Sequence, residues 1–262
     1  MSIGAQPRSE LLQRVVVGAI LIVVAAIGLR LGGFAFWALV TIAALLMLSE
    51  FAGLLKIDDP NRRLALFALC IPLGLLCPIA AGPSFFVAGA LAGMAVAVLL
   101  VSRDWRLSGG LLYVGIPTFA LLWLRARPDN GLLLAFWALS LVWATDIGAY
   151  FAGRGIGGPK IAPAISPNKT WAGLGGGMIA ALLLGLALHR LFGLPTLLVA
   201  ASPLLAMLAQ TGDFFESWMK RRAGVKDSGT LLPGHGGVLD RLDGLVTSAP
   251  FAALIVGLGL TQ

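Results

Sequence analysis

Residues 34–55 read FAFWALVTIAALLMLSEFAGLL, an apolar run of 22 residues broken by a single charged side chain, Glu50. About 20 predominantly apolar residues suffice to cross the ~30 Å hydrocarbon core of a bilayer as a helix. A helix is also the local backbone state that satisfies its own N–H and C=O groups in lipid. The run therefore predicts a membrane-spanning helix. Working outward from it, comparable runs occupy 15–31, 64–80, 84–101, 109–124, 131–149, 171–191, 195–212 and 244–260. The first could mimic the apolar part of a secretory signal, but Arg30 and bulky residues follow it rather than small residues suited to cleavage.

Composition points the same way. The chain has 262 residues, 58% of them hydrophobic and only 12% charged, with a mean hydropathy of +0.93, which is far too apolar for a soluble domain of this length. The fold class expected is all-α: a polytopic integral membrane protein of about nine transmembrane helices. Cytoplasmic loops carry the excess of Lys and Arg. With the N-terminus cytoplasmic, the inner segments hold 15 of the 19 basic residues and only Arg30, Arg125, Arg127 and Arg190 fall outside. That asymmetry predicts a cytoplasmic N-terminus and integration in the cell (inner or plasma) membrane.

The net charge of +7 raises nucleic acid as a partner. No nucleic-acid motif accompanies the charge, and basic residues between spans are explained by topology and by attraction to anionic membrane lipids, so no nucleic acid is expected. Cys70 and Cys77 lie seven residues apart in one span, about 10 Å along a helix, too far for a disulfide.

The two halves of the chain differ. Residues 1–125 form an N-terminal transmembrane scaffold with short loops. Residues 126–262 are expected to form a C-terminal transmembrane region in which function concentrates, with two long loops, 150–170 and 213–243, that emerge on the same cytoplasmic face under this topology. Gly89 with Gly93, and Gly173 with Gly177, are small residues four apart in apolar runs, spaced for close helix packing. The 173–177 cluster could also admit a substrate headgroup.

The second loop lies within QTGDFFESWMKRRAGVKDSGTLLPGHGGVLDRLDG, 210–244. If the eighth span stays helical to residue 221, Asp213, Ser217 and Lys220 share one face. That face suits metal and phosphate; the alternative is a polar helix end with a Glu216–Lys220 surface ion pair. Asp240 and Asp243 are three apart at the start of the last span, so both carboxylates can face one hard divalent cation. Gly234, Gly236, Gly237 and Gly244 let the backbone turn and offer N–H groups to phosphate. His235, in the same loop, is a candidate general base, a donor to phosphate, or a structural residue.

The first loop lies within DIGAYFAGRGIGGPKIAPAISPNKTWAG, 146–173. Its G-x-G-x-x-G at 153–158 lacks a βαβ setting, and Pro159 stands where a P-loop needs glycine before its lysine. Ser166, Lys169 and Thr170 make a better phosphate-binding element, with a point charge and a hydroxyl where a helix begins. The alternative is a helix cap beside a topology-setting lysine. Asp146 is either a partner for one of these bases or a metal ligand.

The 27 residues SWMKRRAGVKDSGTLLPGHGGVLDRLD, 217–243, resemble the signature of the phosphatidate cytidylyltransferases, or CDP-diacylglycerol synthases. Gln210, Gly212, Asp213 and the Ser-Pro-x-Lys-Thr at 166–170 extend the resemblance over about 140–262. Asn168 and Ala172 depart from the family's basic and acidic residues there. The resemblance implies Mg²⁺-dependent transfer of CMP from CTP to phosphatidic acid, with pyrophosphate released and a second metal ion left open. It implies Asp213, Asp240 and Asp243 as metal ligands, and Lys169, Lys220, Arg221, Lys226 and Arg241 as phosphate binders. Ser217, Asp227 and His235 would orient them, with Ser166, Thr170, Gly236 and Gly237 also at the substrate. Lys220 and Lys226 join the three aspartates as expected catalytic residues, in a site on the cytoplasmic face of a homodimer. The rivals are a polytopic transporter, whose charges should sit near the membrane midplane in two related halves, and another membrane-embedded phosphotransferase such as a CDP-alcohol phosphotransferase or polyprenol kinase.

Overall fold

The computed structural model describes residues 8–259 apart from Pro233 and His235, with side chains from Val16 onward. Among the described residues are nine α-helices: α1 (Arg8–Leu31), α2 (Gly33–Leu54), α3 (Asp59–Leu75), α4 (Phe85–Ser102), α5 (Trp105–Arg125), α6 (Gly131–Gly155), α7 (Trp171–Phe192), α8 (Thr196–Ala223) and α9 (Leu239–Gly257). Six of them, α2 and α4 to α8, are long and apolar enough to cross a membrane. Their outward faces carry large apolar side chains such as Ile42, Leu100, Ile179 and Leu183, the pattern of helices whose solvent is lipid.

The expectation of an all-α fold needs one correction. The first long loop contains a two-stranded antiparallel sheet, β1 (Lys160–Ala162) with β2 (Ser166–Thr170). Pro159 and Pro163, with the residues between the strands, break the helix and fold the loop on itself. Element ends also shift. Asp58 caps α3 by accepting from the Asn61 N–H, so that helix starts five residues earlier than its apolar run. α8 continues through the polar residues to Ala223. Its 28 residues make about 42 Å of helix, longer than a ~30 Å hydrocarbon core, so its polar end projects from lipid.

Two apolar cores hold the helices together. One joins α2, α3, α4 and α5 to α9 around Leu48, Leu69, Leu107 and Leu239; the other joins α6, α7 and α8 around Trp137, Leu141, Leu198 and Leu205. In the second, the Trp137 indole N–H donates to Ser202 Oγ at 3.0 Å, satisfying a fully buried polar atom.

The α6–α7 seam is packed through glycine. A Cβ on Gly177 would stand 2.9 Å from the Thr145 carbonyl oxygen, and one on Gly176 would stand 2.8 Å from that of Gly148. Gly89 and Gly93, by contrast, have open space where a Cβ would go, so their spacing does not serve packing within this chain. Gly177→Val is therefore expected to cost about 1–3 kcal/mol by overpacking. It should lower the thermal midpoint in detergent by several degrees, while Gly89→Ala leaves it unchanged.

Candidate active site

The polar segments of the two long loops meet. Lys169, near the end of β2, forms an ion pair with Asp213 of α8, and its ammonium also lies 4.8 Å from the centre of the Phe214 ring. The adjacent Thr170 is buried and accepts the Gly173 N–H at 3.0 Å, capping α7. Its hydroxyl therefore fixes the loop at the start of α7, and Lys169 is held where it can reach across to α8.

On α8 the helical spacing brings Ser217 to Asp213, while Lys220 pairs elsewhere. Ser217 Oγ donates to Asp213 Oδ1 at 3.3 Å. Asp213 stands in the electrostatic field of Asp146 from α6 and of Asp243 from α9. Arg241 and Lys169 are the cations acting on Asp146. Four elements thus bring three carboxylates and two bases together at one end of the bundle. Gly212 permits this approach: a Cβ there would meet the Thr247 hydroxyl at 2.6 Å and would run into the Asp243 carbonyl.

A second, deeper group lies beside the first. Lys220 Nζ bridges Glu216 at 2.9 Å and Asp240 at 2.6 Å. The Glu216 side chain is completely buried and that of Asp240 is 4% exposed, so the pair weighed above as a surface contact is an internal one. Asp240 also accepts at Oδ2 from the Ser228 N–H, the Gly237 N–H and Ser228 Oγ, at 2.8, 2.8 and 2.9 Å. Both of its oxygens are engaged, so a cation at Asp240 would have to displace the Lys220 ammonium. The Gly237 N–H and the Gly244 N–H, which donates to Asp243, are likewise used internally rather than offered to phosphate.

The connector from α8 to α9 turns at Gly224, Gly234 and Gly236, all with positive φ. Leu232 N–H donates to the Gly236 carbonyl at 2.9 Å, closing a tight turn. A Cβ on Gly236 would press to 2.6 Å from Asp240 Oδ2, so glycine is required there on two counts. Lys226, Asp227, Arg221 and Arg241 are exposed around this connector, and Ser166 is half-buried at the start of β2. His235 lies outside the described residues.

Residues not singled out by spacing complete the arrangement. Glu50 of α2 accepts from the backbone N–H groups of Val238 and Leu239 at 3.0 and 2.8 Å, and lies 3.2 Å from Ser228 Oγ. Tyr113 of α5 lies in the field of Asp243 and Glu216. Its hydroxyl and Glu216 Oε1 are buried without a hydrogen-bond partner among the described residues. The available signal for Glu50 was its isolation, as the one acid in an otherwise apolar span.

The family comparison agrees with the arrangement. The model described as the cytidylyltransferase family matches residues 12–258. The chain belongs to the cytidylyltransferase family. Among relatives of this family, the phosphatidate cytidylyltransferase of Brucella suis is 44% identical over 198 residues, covering 71% of either chain. Those of Bacillus subtilis and Pseudomonas aeruginosa are 39% and 41% identical over 150 and 162 residues, covering 56% and 59% of this chain. The family match reaches into the N-terminal half, where the signature resemblance does not extend, consistent with Glu50 of that half touching the signature loop.

Proposed function

We infer that this cytidylyltransferase transfers CMP from CTP to phosphatidic acid, forming CDP-diacylglycerol and pyrophosphate. The observation that carries the inference is the meeting of the two polar segments through Lys169 and Asp213, in a chain whose relatives are named phosphatidate cytidylyltransferase. A lipid phosphate monoester has its second pKa near 6, so at neutral pH it is already mostly dianionic and needs little help from a base. Its oxygen attacks the α-phosphorus of CTP. A new P–O bond forms, the bond to the β-phosphate oxygen breaks, and pyrophosphate leaves with the electron pair. The chain's task is to gather two anions and hold them in line.

Lys169, Lys220, Arg221, Lys226 and Arg241 supply the positive charge for this. Lys220 is fixed between Glu216 and Asp240, while Arg221, Lys226 and Arg241 stand exposed where a nucleotide arrives. Ser166, Thr170, Asp227 and the glycines at 236 and 237 shape the surrounding loops, and Ser217 orients Asp213 on α8.

The residues fit a Mg²⁺ ion. Asp213 and Asp243 are hard oxygen donors in mutual repulsion, and the unpartnered Glu216 Oε1 lies in the field of Asp243. Among the described residues no three acidic, His or Cys side chains converge closely enough to hold an ion alone. Mg²⁺ is commonly held by one or two carboxylates with phosphate oxygens and water completing its shell. Asp213 and Asp243 are the ligands this favours, with Asp240 joining them only by releasing Lys220. When bound, the ion neutralises phosphate charge and stabilises the leaving pyrophosphate.

This reading places all nine helices across the cell membrane, the N-terminus and the site at the cytoplasmic face, and the acyl chains in the adjoining leaflet, in a homodimer. The test is direct. Purified protein in detergent, given labelled CTP, phosphatidic acid and Mg²⁺, should yield a labelled CDP-lipid, and a chelator should stop it. Absence of that product from folded, Mg²⁺-supplied protein would refute the assignment.

A further inference from the structure

We propose that Glu50, in the half of the chain that the sequence assigns to scaffold, is a positioning residue for cytidylyl transfer. Its carboxylate caps α9 from another helix and so sets where Asp240 and Asp243 stand. This deepens the function inferred above and rests on it.

The first N–H groups of a helix have no partner within the helix. α9 begins after Val238, whose side chain has no oxygen to offer, and no side-chain cap bond forms there. Glu50 fills the gap: Oε1 accepts from the Val238 N–H and Oε2 from the Leu239 N–H. A negative charge at this end is also favoured by the helix dipole. The carboxylate is carried on a firm base, because the adjoining Phe51 and Ala52 are buried in the core of α2.

Two further observations point to the same contact. Ser228 Oγ lies within hydrogen-bonding distance of both Glu50 and Asp240, at 3.2 and 2.9 Å, so one hydroxyl links the cap to the carboxylate that holds Lys220. The neighbouring glycines leave room for the cap: a Cβ on Gly229 would stand 2.7 Å from Glu50 Oε1, and one on Gly237 would stand 2.6 Å from its Cδ. Asp240 and Asp243 lie within the first five residues of α9. A displaced first turn therefore moves both, and misplacement by about 1 Å can cost a hundredfold in rate.

The experiment uses the full chain in detergent and two readouts, CDP-lipid formation and hydrogen–deuterium exchange of backbone amides. Glu50→Gln keeps the shape but turns one oxygen into an amide donor, which cannot accept from the start of α9. Amide exchange over 226–240 should rise there while the other helices keep their protection. The kcat should fall about tenfold or more with the KM for CTP little changed, the signature of a lost transition-state arrangement. Glu50→Asp, which keeps the charge on a shorter arm, should recover part of the kcat. In folded protein, unchanged exchange over 226–240 or an undiminished kcat would overturn the proposal. Should Glu50→Gln fail to fold, Ser228→Ala, which removes only the linking hydroxyl, should show the same local exchange and a smaller fall in kcat, and wild-type values for both would overturn it. A wild-type protein that formed no CDP-lipid would refute the inferred function, whereas the exchange comparison would still decide whether Glu50 caps α9.

Discussion

Lys220→Met is expected to destabilise the protein by about 3–5 kcal/mol, because removing one partner of a buried ion pair leaves its opposite charge unpaired in a medium that solvates it poorly. Here two carboxylates lose their partner at once, Glu216 with no exposed surface and Asp240 with almost none. Each has other demands on it: Asp240 anchors the signature loop through three further hydrogen bonds, and Glu216 carries an oxygen with no hydrogen bond. The expected result is a much lower thermal midpoint and no measurable CDP-lipid. A second substitution separates the two effects. In Lys220→Met with Glu216→Gln, one of the stranded charges is gone, so part of the lost thermal midpoint should return, while transfer stays absent because the fixed positive charge is still missing. Recovery of activity alongside stability would show that Lys220 serves the fold alone.

Lys220 also shows how far the sequence could be read. The i, i+4, i+7 spacing of Asp213, Ser217 and Lys220 requires only that α8 continue as a helix, and the local pattern carries that information. The Glu216–Lys220 pair was also within reach of spacing; what spacing could not supply were the pairings between elements. Lys220 turns as well to Asp240 twenty residues ahead, and Lys169 reaches Asp213, 44 positions further along the chain. Such pairings depend on how α7, α8 and α9 pack, which local periodicity does not encode.

Glu50 marks the same limit more sharply. Its partners lie 178 to 189 residues away, and apart from Ser49 its neighbours in sequence are apolar. Hydropathy assigned it to the scaffold because hydropathy measures a helix's solvent and not the neighbour at its end. The small β1–β2 sheet escaped for a related reason: a Gly- and Pro-rich loop signals turns, and three paired residues are too few for alternation to stand out. The membrane character, by contrast, was legible, since the runs of α2 and α4 to α8 each carry it independently of the others.

Asp213→Asn is expected to abolish most transfer while leaving the protein folded. Asparagine has nearly the same shape, can still accept from Ser217, and occupies a side chain that is 32% exposed, so little desolvation cost attaches to the change. What disappears is the negative charge that holds Lys169 across the gap between the two polar segments and that would share a Mg²⁺ ion with Asp243. Removing one preorganised electrostatic contact to a reacting group commonly costs about a hundred- to a thousandfold in rate, and here one atom exchange removes two such contacts. The labelled-CTP assay should therefore show product formation down by at least about a hundredfold at a thermal midpoint close to that of the unaltered protein. Raising Mg²⁺ should recover part of the rate if weaker metal binding is the larger loss, and none of it if the larger loss is the misplacement of Lys169. Product formation at the unaltered rate would mean that the carboxylate at the meeting point of α8 and β2 takes no part in the chemistry, and the site would have to be sought elsewhere in the molecule.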